Sequence, residues 1–395
     1  MLMMNNNQKK EKEIVKVFSF ASFLNDLGSD IIYPIWPIFL THYLKANMAI
    51  LGFIDGLGDA VVSVSQAFSG YLSDKYQKRK IFIWIGYLFG AISRIGYALS
   101  LTYHPVIFFR ILDRAGKIRS APRDAMVADV SSDLTRGKNF GILRSMDNLG
   151  AVTGIVLCIV LFPIIGYKNL FILAAIPSLI GASLIFFKLK EETVKTKAYK
   201  SYSLKSFDKN LKILFFVSIL FSLGNFSYSF LLVFAYEFKF PFYSTPVLYL
   251  IFTAIASLLS YSFGKLSDIK GRKNILFVSL LFWMSSLLIL LVNQNLVAVI
   301  LAFVLYGFHK AAFEPVHKAF VSELSPSEMR ASVIGGFQMM MGIFAFPSSL
   351  IAGILWESIN IFAPFYFSLF LTCVATLLIL KIKQVEGKNE KVEFS

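Results

Sequence analysis

Charge is scarce in this chain. Asp, Glu, Lys and Arg supply 16% of the 395 residues, against 56% hydrophobic residues and a mean hydropathy of +0.65. A soluble domain of this length carries roughly 25% charge, so a water-exposed globule is excluded. Cysteine is scarcer still. Cys158 and Cys373 both fall inside apolar runs and form neither a disulfide framework nor a metal site by spacing. Catalytic signatures are missing too: there is no HExxH, GxSxG, GxxxxGK[ST] or strand-borne GxGxxG. An enzyme is therefore not expected, and no cofactor or resident metal is implied. No small-residue cleavage site follows a short apolar core at the N-terminus, so the first apolar run is expected to act as the targeting signal.

Apolar length is what the chain has in quantity. About twelve segments, at 14–42, 47–72, 80–101, 105–130, 139–163, 168–189, 210–236, 244–266, 273–293, 296–319, 331–356 and 361–383, are each long enough to cross a bilayer. Backbone polar groups in lipid must be satisfied within each segment, so the spans are expected to be helices. The net charge of +15 suggests nucleic acid until its placement is read. Lys9, Lys10 and Lys12 precede the first span; Lys75, Lys78, Arg79 and Lys80 follow the second; Lys265, Lys270, Arg272 and Lys273 follow the eighth. The alternate loops carry little beyond Lys45, His104, Lys168 and Lys239. This is the positive-inside pattern, with both termini cytoplasmic and no nucleic-acid partner.

One loop is written twice. Residues 70–80 read GYLSDKYQKRK and residues 264–274 read GKLSDIKGRKN, an offset of 194, near half the chain. The register continues without a gap to Gly141, which faces Gly335. Duplication at this period indicates two parallel halves. A Lys-rich stretch separates them. The expected domains are an N-terminal tail 1–13, a bundle 14–189, a linker 190–209, a bundle 210–383 and a C-terminal tail 384–395.

These features resemble the major facilitator superfamily. Its loop between the second and third helices reads Gly-x-Leu-x-Asp-Arg-x-Gly-Arg-Arg; here the matching positions are Gly70, Leu72, Asp74, Lys75, Lys78 and Arg79, with Gln77 where Gly is preferred. The second copy keeps Gly264, Asp268, Gly271, Arg272 and Lys273. The resemblance implies an all-α integral membrane protein of twelve transmembrane helices in two pseudo-twofold-related six-helix bundles, with a central cavity reached alternately from each side. It also implies that the doubled loop forms a cytoplasmic gate. Gly150-Ala151-Val152-Thr153-Gly154 resembles the family's antiporter signature with Ala in place of Pro; a close Gly-x-x-x-Gly helix contact explains it equally well. The family's fourth-helix Arg best matches Arg110.

Ionisable groups inside spans cost roughly 2.5–3.5 kcal/mol each and need a reason. Asp26 and Asp30 lie one turn apart in the first span, and Asp55 and Asp59 in the second. The third carries Arg94; the fourth carries Arg110, Asp113, Arg114 and Lys117; the fifth carries Arg144 and Asp147. At the 194 offset these face uncharged residues, so the fold does not require them. The second half keeps chiefly Lys310 and Glu314, with Asn225 and Gln338 as polar groups able to face a cavity. A salt-bridge network and a coupling or substrate site explain this asymmetry equally well. On the second reading Asp26 is the first choice for the titrating group, followed by Asp30, Asp59 and Asp113, with Arg114 and Lys117 as partners. Pro34 and Pro37 are expected to kink the first span, Pro122 the fourth and Pro315 the tenth.

The expected function is secondary active transport of a small solute by alternating access, proton-coupled and tilted toward export by antiport. Alternatives are uptake of an anionic metabolite by symport, divalent-metal export through Asp26 and Asp30, and a transporter-like sensor. A monomer in the cell membrane, with a small-molecule substrate, protons and lipid as partners, completes the expectation.

Overall fold

The computed structural model describes residues 6–76, 78–132, 135–191, 208–238, 240, 244–325 and 330–382, and no strand occurs among them. The helices are α1 (Asn6–Ile32), α2 (Trp36–Ile38), α3 (Met48–Tyr76), α4 (Lys80–Leu99), α5 (Tyr103–Ala115), α6 (Ser120–Val130) and α7 (Arg136–Lys188). After the linker come α8 (Lys209–Gly224), α9 (Tyr228–Glu237), α10 (Ser244–Lys270), α11 (Arg272–Val292), α12 (Leu296–Leu324), α13 (Arg330–Ser358) and α14 (Ala363–Leu380). Nine helices among the described residues are long and apolar enough to cross a membrane. The first and fourth expected spans are not among them, because polar residues open the one and charges and a break interrupt the other.

The breaks have local causes. Pro34 and Pro37 end the first span's regular helix after Ile32; Pro37 then sits in the first turn of α2, where its missing N–H is no loss. A tight 3₁₀ turn at Gly116–Arg119 divides the fourth span, and Pro122 falls in the first turn of α6. Pro315 lies inside α12 without ending it. Helix α7 covers two expected spans in 53 residues, divided at Gly166, whose φ of 68° suits only glycine. The seventh span, expected to be continuous, is interrupted between Gly224 and Tyr228.

Residues 6–13 of the expected tail prolong α1. Residues 1–5, most of the linker 190–209 and the tail 384–395 lie outside the described residues, as does the Asp74 side chain.

Glycines set the closest helix pairs. A Cβ at Gly150 would collide with the Phe23 carbonyl, and one at Gly154 with that of Leu27, so the Gly-x-x-x-Gly of α7 is a seam against α1. Helices α3 and α13 approach the same way at Gly52 and Gly56 on one side and Gly353 on the other.

The core shows how the halves meet. One large buried cluster joins both halves, and its first-half members fall at 31–54, 97–106 and 155–174. A second cluster, around Phe18, Ile83, Tyr87, Met126, Leu143 and Ile185, belongs to the first half alone. The halves therefore share a core at the end far from Gly70 and separate at the Gly70 end. Gly264, Gly335 and Gly336 accordingly face open space.

Candidate functional site

A cavity of about 710 Å³ lies between the halves at the Gly70 end. Its first-half wall includes Asp26, Gln66, Gly70, Lys117, Arg123, Arg144 and Asp147, and its second-half wall Lys318, Gly335 and Gln338. Part of the charge here is internally paired. Arg123 sits 2.9 Å from Asp124 and 3.8 Å from Asp147, donates to the Ser22 hydroxyl at 2.8 Å, and shares Asp147 with Arg144 at 3.7 Å. Asp26 accepts a 2.9 Å hydrogen bond from the Asn25 side-chain amide and faces the cavity near Lys117. The same wall thus holds a structural network and groups open to a ligand.

Beyond the cavity the interior closes over Asp55, which is 2% exposed. Its Oδ1 accepts from the Trp36 indole and the Arg110 guanidinium, each at 2.8 Å. Its Oδ2 accepts from the Ser227 hydroxyl at 2.8 Å and from the Ser229 hydroxyl. Trp36 and Arg110 belong to the first half; the two serines belong to the second, at the interruption of the seventh span. That interruption turns two hydroxyls toward one carboxylate. The Arg110 guanidinium also lies over the Trp36 ring at 4.2 Å. Arg110 and Arg114 pack against Gly58, where a Cβ would come within 3.3 Å of Arg110 Nε and 3.1 Å of Arg114 Cγ.

The sequence marks Asp55 as an intramembrane charge but not as a candidate site residue. The signal available was its one-turn spacing from Asp59. Nothing in Ser227 or Ser229 marks them as partners, because serine is ordinary in a helix.

The other candidates divide by neighbourhood. Asp30 is buried and accepts a 3.2 Å hydrogen bond from Tyr249 of α10, a second contact between the halves. The Tyr228 hydroxyl reaches the Tyr33 carbonyl at 3.4 Å. Arg114 donates to the Tyr33 hydroxyl at 3.1 Å and stacks over its ring at 5.0 Å. Asp59 lies near Arg114, Asp55, Arg110 and, in the second half, Lys310. Asp113 turns toward Gly90 of α4 and makes no ion pair among the described residues. Lys310 pairs with Glu314 at 3.3 Å along α12. Asn225 occupies the seventh-span interruption, its Oδ1 buried without a partner. Arg94 staples three helices, bonding the carbonyls of Asn25 and Ala174 and the hydroxyls of Ser29 and Ser178.

In the doubled loop, Arg79 pairs with Asp129 of its own half. Arg272 pairs with Asp268 at 3.2 Å and Glu323 at 3.0 Å, and donates to the Ala319 carbonyl at 2.9 Å. Asp129 and Glu323 are related by the 194-residue offset. Each half therefore ties its loop cation to the end of its own fourth helix, and Gly271 with φ 89° makes the second loop's turn. Gly70 packs near Ala121 of the same half. Among the described residues no group of three or more His, Cys, Asp or Glu gathers to hold a metal.

Comparison with known proteins places this architecture. The profile described as Major Facilitator Superfamily matches residues 18–271 and 214–394. An uncharacterized MFS-type transporter of Methanocaldococcus jannaschii is 34% identical over 390 residues, covering 96% of this chain and 97% of that protein. The quinolone resistance protein NorA of Staphylococcus aureus (strain MRSA252) is 30% identical over 144 residues, 35% of each chain. Among solved structures, the nucleoside transporter NupG superposes with a TM-score of 0.78 at 17% identity, covering 93% of this chain and 98% of its own. A POT family transporter in complex with 5-aminolevulinic acid gives 0.74 at 14% identity, covering 93% and 94%. At these identities the structural likeness shows the fold.

Proposed function

The chain belongs to the Major Facilitator Superfamily, and from that premise we propose that it is a proton-coupled secondary transporter of a small solute, working by alternating access. It crosses the membrane twelve times in two six-helix halves, 14–189 and 210–383, with the basic loops and both termini in the cytoplasm. The observation that carries the reading is the polarity of the interface. Contacts between the halves concentrate around Asp55 and Asp30, while the cavity occupies the Gly70 end. With the basic loops cytoplasmic, this is the state open to the cytoplasm and closed outside. Asp26 on the cavity wall exchanges the proton, and Asp30 reports its state across the interface through Tyr249.

Export is the favoured direction, supported by the 144-residue likeness to NorA. Uptake of an anionic solute is the second reading. It is supported by the cavity's sign: Lys117, Arg119, Arg123, Arg144 and Lys318 outnumber Asp26, Asp124 and Asp147. The test is flux in proteoliposomes carrying an internal pH dye, with a panel of cationic, neutral and anionic solutes. A solute gradient that moves protons in the parent but not in Asp26→Asn supports the proposal. Solute movement with no proton movement in either protein refutes the coupling.

A further inference from the structure

A second cavity, separate from the one between the halves, lies in the first half alone. It is a groove of about 610 Å³ between residues 11–20 of α1 and residues 135–146 at the start of α7. Val15, Phe20, Ile142 and Met146 give it an apolar floor. Among the described residues its rim carries Lys16 and Lys138 beside Glu11, which accepts a 2.6 Å hydrogen bond from the Asn139 side-chain amide. Lys16 and Lys138 thus outnumber Glu11 among the described rim residues. Ser19 borders the groove, is 5% exposed, and its hydroxyl has no hydrogen-bond partner.

The arrangement runs in one direction. Lys16 lies one turn from Phe20 along α1, and Lys138 lies eight residues from Met146 along α7, about 12 Å at helical rise. Charge sits where both helices enter the apolar zone, and the greasy floor continues inward from it. A soluble anion would leave Phe20, Ile142 and Met146 wet. A neutral lipid would leave Lys16 and Lys138 unmatched. We infer that this groove binds an anionic phospholipid of the adjoining leaflet, its phosphate against Lys16 and Lys138, its glycerol oxygens within reach of Ser19 and an acyl chain along the floor. The inference rests on the chain being embedded in a membrane and is independent of coupling and direction.

The test uses the full-length protein in mild detergent and native mass spectrometry. Phosphatidylglycerol, phosphatidylcholine and inorganic phosphate are the probes. The parent retains phosphatidylglycerol in preference to phosphatidylcholine, and inorganic phosphate does not displace it. Lys16→Gln/Lys138→Gln retains it roughly 25-fold less, a factor of about five for each lysine beside an anionic headgroup. Equal retention of the two lipids, displacement by phosphate, or undiminished retention in the double variant overturns the inference. Probe competition on the parent decides the matter even if the double variant loses its helical circular dichroism. Cross-linking of Ile142→Cys to a second-half cysteine, with no lipid retained by the parent, would instead make the groove a surface covered by the other half.

Discussion

The Asp55 carboxylate of α3 and the Ser227 hydroxyl, at the interruption of the seventh span, lie 2.8 Å apart and join the two halves of the chain. The same carboxylate holds Arg110, Trp36 and Ser229, so one buried anion gathers four donors from both sides of the interface. A carboxylate so placed is a clamp on the end far from Gly70, and its removal acts on both stability and conformation.

Asp55→Asn leaves Arg110 as a buried cation without its counter-ion. Breaking a buried pair by removing one partner costs about 3–5 kcal/mol. The expected result is a lower unfolding temperature in detergent. Ser229→Ala, which keeps the ion pair and loses one hydrogen bond to a charged group, costs about 1.5–3 kcal/mol. An Asp55→Asn protein as stable as the parent would show that the pair contributes nothing.

Close approach of α3 and α13 depends on missing side chains. A Cβ at Gly52 meets the Ser349 carbonyl, and one at Gly56 comes within 2.7 Å of the Phe346 carbonyl. Gly52→Leu is expected to hold the ends far from Gly70 apart and to raise thiol labelling of a cysteine at Phe53. Gly335→Leu, which faces open space here, leaves that labelling unchanged. Equal effects of the two substitutions would mean that the seam does not close that end.

Proton coupling is tested at two carboxylates with different neighbours. Asp26→Asn is expected to abolish proton-driven flux with little change in stability, since Asp26 faces the cavity. Asp30→Asn and Tyr249→Phe break the same contact between the halves and are expected to slow transport alike. Unchanged coupled flux in Asp26→Asn would remove that residue from the mechanism.

The paired loop cations differ in burial. The Arg79 side chain is 7% exposed beside Asp129, whereas Arg272 is 27% exposed beside Glu323. Glu323→Gln is expected to cost at most about 1 kcal/mol, as for other accessible pairs. Asp129→Asn should cost more. Thermal unfolding of both variants checks the order, and a larger loss in Glu323→Gln would reverse it.

Much of this was legible in the residues. Apolar length demands helices in lipid, and the copied Gly-x-Leu-Ser-Asp loop marks the halves. The lopsided charges point to the first half because the 194-residue offset supplies its own control. What stayed hidden depends on which residues meet across the interface. Ser227 and Ser229 carry no signal until the helix stops at Gly224 and exposes them to Asp55. Arg110 and Arg114 lie tight against α3 at position 58, where glycine leaves them room. The doubled loop suggested a gate between halves. In the state seen here Arg79 and Arg272 each grip their own half, a pairing that depends on conformation as well as sequence.

The most direct test of the account measures two distances in one protein by pulsed electron resonance. One label pair, at Tyr71 and Met339, spans the cavity; the other, at Tyr43 and Ile359, spans the opposite end. The parent is expected to show a long first distance and a short second one. Asp55→Asn should shift population toward the reverse arrangement, the first shortening as the second lengthens. Distances that stay fixed, or that lengthen together, would contradict alternating access governed by the Asp55 clamp.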